Sequence, residues 1–137
     1  MKIALVVSDF NFDVTSLMLE RARLHVELLG AEVSHTVHVP GVFDMALAVK
    51  KLIKRKDVDG VVMIGAVIKG DTKHDELIAG AAAKAAVDLA IQFDKPVALG
   101  ITGPGMDRMQ AIDRLDNARN AVESVVRMIK ALKEISE

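Results

Sequence analysis

The chain contains no cysteine, no tryptophan and no tyrosine. Without cysteine there is no disulfide framework, thiolate nucleophile, iron–sulfur cluster or ordinary zinc ribbon, and a reducing compartment suits the protein. Aromatic residues amount to 3%, all of them Phe, which removes a base-stacking platform. Neither sign of charge dominates: 18 Lys+Arg stand against 19 Asp+Glu, so the basic footprint that nucleic acid or anionic lipid requires is missing. Long hydrophobic runs are missing too. The opening run ends at Asp9, too early for a signal peptide or a membrane span. These absences predict a cytoplasmic protein with no nucleic-acid and no membrane partner.

What is present is enough for one domain over residues 1–137, with 51% apolar residues. A chain of this size removes roughly two-thirds of its unfolded surface from water, so no metal or disulfide staple is needed. Four short apolar runs recur, at 3–7, 33–39, 61–64 and 97–101. Three are nearly continuous in apolar residues, the pattern of strands covered on both faces. The run 33–39 alternates instead, placing Val33, His35, Val37 and Val39 on one side, and predicts a strand nearer an edge.

Helical spacing follows each run. A first helix is expected over 14–29, burying Val14, Leu17, Met18, Leu24 and Leu28, with Gly30 stopping it. A second over 43–54 turns Phe43, Leu47 and Ile53 inward. A third over 73–93 is rich in alanine, and a fourth over 107–134 places Ile112, Leu115, Val122, Val125, Ile129 and Leu132 at three- and four-residue steps. Strand–helix alternation at this spacing implies an α/β fold, a three-layer sandwich with a four-stranded parallel sheet between helices. Between Leu77 and Ile91 the third helix has only Lys84 and Asp88 as charges, so small or apolar side chains point nearly everywhere. A sheet covers one face of a helix. The remainder is either buried inside the domain or meets another subunit, and the small sheet favours the subunit.

Ligands of open α/β sheets bind beyond the carboxyl ends of the strands. Those ends carry Phe10, Phe12 and Phe43, the main glycine turns and His74, a rim suited to a flat apolar ring bordered by backbone amides. Phe10 is as readily a core residue as a stacking surface. Gly70 permits a tight approach, and Asp71 and Thr72 open the Ala-rich helix, whose free amides favour an anion. Thr72-Lys73-His74-Asp75 also has capping-box spacing. The two uses are compatible, although the charge of Asp71 opposes a dianion. There is no Walker loop and no GxGxxG fingerprint. His74, in the first turn, is either a solvated surface histidine or a proton shuttle, its ordinary pKa of about 6.5 suiting the latter. His25, His35 and His38 are read as structural. Arg114, like Arg108, Arg119 and Arg127, reads from the residues alone as an exposed helix charge.

Four blocks, each at a strand end, resemble the 6,7-dimethyl-8-ribityllumazine synthase family in its short archaeal-like form. They are Asp9-Phe10-Asn11, Val39-Pro40-Gly41-Val42-Phe43-Asp44, Gly65-Ala66-Val67-Ile68-Lys69-Gly70-Asp71-Thr72-Lys73-His74, and Pro96-Val97-Ala98-Leu99-Gly100-Ile101 continuing to Ala111-Ile112-Asp113-Arg114. The resemblance spans essentially the whole chain. It implies a flavodoxin-like strand order and the penultimate step of riboflavin biosynthesis. In that step 5-amino-6-(D-ribitylamino)uracil condenses with 3,4-dihydroxy-2-butanone 4-phosphate, releasing phosphate and water.

The resemblance also implies roles, residue by residue. Phe10 stacks on the pyrimidinedione, with Asn11 near its edge. Val42, Phe43 and Asp44 line the ribityl chain, and Ala66, Val67 and Ile68 offer backbone groups to the heterocycle. Asp71 and Thr72 bind phosphate through their amides, and His74 transfers protons. Arg114 and Leu99 come from a neighbouring subunit, in a pentamer or a shell of pentamers. No metal and no other cofactor is expected. Leu99 stands where an aromatic is frequent, Asp44 where a glutamate is, Asp71 where a small neutral residue is, and Val122 where a lysine binds substrate. Two rivals remain at this point, an archaeal-type riboflavin synthase and a non-catalytic flavin- or lumazine-binding shell protein. The stretch from Gly70 to Asp75 speaks against the first.

Overall fold

A computed structural model describes residues 1–70 and 74–136. Four parallel strands, β1 (Lys2–Ser8), β2 (Glu32–Val39), β3 (Gly60–Ile68) and β4 (Val97–Met106), form one sheet in the order β2-β1-β3-β4. All of β3 is buried, which is why its sequence is apolar at nearly every position. On one face lie helices α1 (Phe12–Leu28), α4 (Arg108–Asp113) and α5 (Asp116–Ser136). There Ile3, Leu5, Val7, Val62 and Ile64 pack with Val14, Met18, Val122, Val125 and Ile129. The other face carries α2 (Met45–Ile53) and α3 (Asp75–Phe93), where Ala4, Val6, Val61 and Met63 meet Met45, Val49, Ile53, Ala82 and Ala86. The result is the expected three-layer α/β sandwich.

Several expectations about individual elements give way. In β2 the register slips beside Ile3 and Ala4, which pair with Val33 and His35. The slip turns Val33 to the α1 side, while Val37 and Val39 face α2, so the alternation read from sequence is broken in its middle. The buried stripe of α1 is Val14, Thr15, Met18, Ala22 and Val26, and the larger Leu17, Leu24 and Leu28 lie outside. Close packing against the sheet and α5 selects the stripe containing the smaller residues. Phe43 and Leu47 are also exposed. Residues Val42–Asp44 form a short 3-10 turn, with the Asp44 carboxylate accepting the Gly41 amide, and this sets the phase of α2. Its buried residues are Met45, Val49, Leu52 and Ile53.

The fourth helix is two. After α4 the chain turns at Arg114 and Leu115, where the Arg114 amide bonds the Ala111 carbonyl and the Asn117 amide bonds that of Arg114. Asp107 caps α4 through the Gln110 amide, and Gln110 returns the bond to the Asp107 amide. Buried Ala111, Leu115, Ala118, Val122, Val125 and Ile129 keep helical spacing across the break, so periodicity could not reveal it. β4 outruns its expected end because Met106 still pairs with Ile68, past a register irregularity opposite Val67. Gly103 makes that path passable: its φ is +107, and a Cβ there would lie 2.1 Å from the Val67 carbonyl oxygen.

Candidate functional site

The carboxyl ends of β1 and β3 define the floor of a cavity of about 150 Å³. Ser8 and Phe10 enter from β1 and the turn after it, and Ala66, Val67 and Ile68 from the end of β3. Val42 and Phe43 form one wall, and Ile78, in the first turns of α3, the other. The lining is overwhelmingly apolar. Phe10 and Phe43 are 57% and 68% exposed, an arrangement with no packing explanation within one chain. The Phe10 amide donates to the Pro40 carbonyl at 3.0 Å and the Asp9 amide to Val39 at 2.8 Å, so the ring stands on a fixed loop.

Gly65 allows this floor to exist. A Cβ there would lie 2.6 Å from Val42 Cγ2 and 3.1 Å from both Met45 Cε and Ser8 Oγ. With glycine, Val42 settles against β3 and carries Phe43 to the cavity mouth.

The polar groups are arranged around the rim. Asn11, left-handed at φ 63, precedes α1 but does not cap it with its side chain. Its Nδ2 donates instead to the Ala66 carbonyl at 3.0 Å. Asp9 pairs with His38 at 2.9 Å. One Asp44 carboxylate oxygen holds the Gly41 amide at 3.0 Å, which fixes that side chain at the turn beside Phe43. His74 is exposed immediately before α3, its carbonyl accepting the Ile78 amide at 2.9 Å. Asp71 and Thr72, and with Thr72 the capping residue of the box read at 72–75, lie outside the described residues.

The cavity thus brings together Phe10, Val42, Phe43, Ala66, Val67 and Ile68, with Asn11 bonded to its floor. It does not include Leu99 or Arg114. Leu99 is 42% exposed on β4 and lines two open grooves, one against α5 and one against α3. Arg114 is exposed at the turn between α4 and α5, whose buried neighbours Ala111 and Leu115 pack on the opposite face of the sheet. Sequence reasoning missed three participants, Ser8, Ile78 and Arg108. Ile78 was hidden in the general apolarity of its helix. Arg108 looked like a surface charge, yet its guanidinium bonds Asn11 and Asp13, a link across 95 residues or more that no local pattern announces. Among the described residues no group of three or more His, Cys, Asp or Glu could hold a metal ion, and no helix is long and apolar enough to cross a membrane.

Residues 1–133 match the sequence family described as 6,7-dimethyl-8-ribityllumazine synthase. A protein of that name from Methanococcus maripaludis is 55% identical over 130 residues, covering 95% of each chain. Its namesake from Methanocaldococcus jannaschii is 54% identical over 132 residues, covering 96% of this chain and 94% of that one. The one from Picrophilus torridus is 54% identical, with coverage of 96% and 97%. Among solved structures, a flavone reductase superposes with a TM-score of 0.53 at 17% identity, over all of this chain and 65% of that one, a likeness of fold alone.

Proposed function

The chain belongs to the 6,7-dimethyl-8-ribityllumazine synthase family, and we propose that the strand-tip cavity is where it joins its two substrates. The protein is a transferase of riboflavin biosynthesis. It condenses 5-amino-6-(D-ribitylamino)uracil with 3,4-dihydroxy-2-butanone 4-phosphate to give 6,7-dimethyl-8-ribityllumazine, phosphate and water. The observation that carries the assignment of the site is the meeting of Phe10 and Phe43 over the end of β3, in an apolar slot against backbone groups. A pyrimidinedione has that shape and that need. Phe10 stacks on its face, Asn11 stands at its edge, and Ala66, Val67 and Ile68 present main-chain groups to it. Val42, Phe43 and Asp44 follow the ribityl chain.

The reaction needs proximity and proton transfer. The substrate amine attacks the ketone carbonyl, and loss of water gives an imine. A proton then leaves C3 and phosphate departs from C4, the resulting enol becomes a C3 ketone with a C4 methyl group, and the second nitrogen attacks that ketone and closes the ring with loss of another water. Holding two substrates in reacting geometry supplies much of the acceleration. His74, ahead of α3, moves protons between nitrogen, carbon and oxygen. The amides of Asp71 and Thr72 hold the phosphate, with Arg114 pairing its charge as it leaves.

Arg114 and Leu99 act in this scheme from a neighbouring copy of the chain, within a pentamer or a shell of pentamers, each copy contributing residues 1–137 as one domain. Two observations support that arrangement. The cavity of about 150 Å³ falls below the roughly 300–1,000 Å³ of ordinary ligand pockets, so one chain supplies only part of the enclosure. Leu77, Val87 and Ile91 also leave α3 with an exposed apolar face, beside exposed Leu99 on β4. Incubating the purified protein with both substrates tests the assignment. The expected result is lumazine absorbance appearing in step with phosphate. Dismutation of lumazine to riboflavin, or binding without turnover, would contradict it.

A further inference from the structure

Arg108 makes three bonds from the first turn of α4. Its Nη1 donates to both carboxylate oxygens of Asp13, at 2.7 and 2.6 Å, and its Nη2 donates to Asn11 Oδ1 at 3.0 Å. The other end of the same amide, Asn11 Nδ2, donates to the Ala66 carbonyl on the cavity floor at 3.0 Å. An asparagine before a helix ordinarily accepts an amide of its own first turn. Asn11 makes no such cap, and its side chain is spent across the sheet instead.

We infer that Arg108 is a positioning residue for the heterocyclic substrate, holding the Asn11 amide in a single orientation against β3. The inference rests on the proposed place of Asn11 at the pyrimidinedione edge. Turning that amide over would set its NH₂ against the guanidinium and its oxygen against the Ala66 carbonyl, two repulsive contacts in place of two bonds. The Asp13 carboxylate fixes the guanidinium plane, so the orientation is imposed from outside the cavity. Because a pyrimidinedione edge alternates carbonyl and N–H groups, the sign of the dipole presented to it decides whether the ring is held or refused. Asn11 also follows Phe10 directly. The same chain of bonds therefore sets the stacking surface against the floor.

Steady-state kinetics on the full chain test this, varying each substrate in turn. R108M raises the KM for the ribitylaminouracil about tenfold, the loss expected for a charge-assisted hydrogen bond. The turnover number and the KM for the butanone phosphate stay within about threefold of the parent. Arg108 is exposed, so its loss leaves the core intact, and thermal melts of each variant verify this. N11G, which keeps the left-handed backbone, raises the same KM. Adding R108M to N11G changes it less than about twofold further, because both variants break one chain of bonds. A tenfold effect of N11G with none from R108M would overturn the inference alone. So would additive losses, or a rise confined to the KM for the phosphorylated substrate. An N11G protein with an unchanged uracil KM would overturn the placement of Asn11, and the inference with it.

Discussion

Substituting alanine for Gly65 places a methyl group where Val42 already sits. The new Cβ would lie 2.6 Å from Val42 Cγ2, whereas carbon atoms rest at about 3.5–4.0 Å. Val42 must therefore withdraw by about 1 Å, and its other contacts give it little room, since it is 7% exposed. Overpacking of this kind costs about 1–3 kcal/mol, which lowers the melting temperature of a domain this size by about 4–12 °C. Val42→Ala alone is also destabilising, by about 1–3 kcal/mol, because it empties a filled position. Combined, the two changes compensate, the Gly65→Ala methyl occupying the space that Val42 vacates. Calorimetric melts of the four proteins should show a coupling of at least about 1 kcal/mol in favour of the double variant. Gly65→Ala melting with the parent protein, or strictly additive losses, would refute this account of the cavity floor.

Three further outcomes are expected. His74→Ala should lower the turnover number by about a hundredfold while changing uracil affinity far less, as for a proton-transfer group; equal loss in both would remove His74 from that role. Arg114→Ala should raise the KM for the butanone phosphate by about tenfold or more, the effect of one lost charge-assisted bond, and an unchanged KM would make it a surface charge after all. Glu123 accepts a bond from His25 at 2.6 Å, chiefly through which its carboxyl is held below its ordinary range. A carboxyl depressed in the folded state contributes stability above its unfolded pKa and loses it as pH falls through the folded value. The melting temperatures of the parent and Glu123→Gln should therefore converge as pH is lowered from 6 through about 4 toward 3; a gap that widens with acid would contradict the pairing.

The layered architecture was legible because strands covered on both faces must be apolar throughout, as β3 is. The cavity residues were legible because Phe10, Phe43 and the residues after Gly65 all fall at strand ends, and parallel strands put those ends on one edge. Phase was harder to read. Val14 and Met18 of the stripe expected for α1 are buried, but packing against the sheet and α5 took in Thr15, Ala22 and Val26 in place of the leucines at 17, 24 and 28. The break after α4 was invisible, since the buried residues keep step through it. Arg108 was invisible for another reason. Its partners are distant in sequence, and only the meeting of the α1 and α4 starts makes an ordinary surface arginine into the holder of Asn11.

Complementation between two damaged chains tests the shared pocket most directly. His74→Ala and Arg114→Ala chains are co-expressed in equal amounts, purified together and assayed at low butanone phosphate, where either variant alone keeps about a tenth or less of the parent's activity. If each site takes its histidine from one copy and its arginine from the next, about a quarter of the sites in mixed rings are intact, and activity returns to about that fraction of the parent's. A mixture no more active than the mean of its two components would contradict a site divided between neighbouring copies.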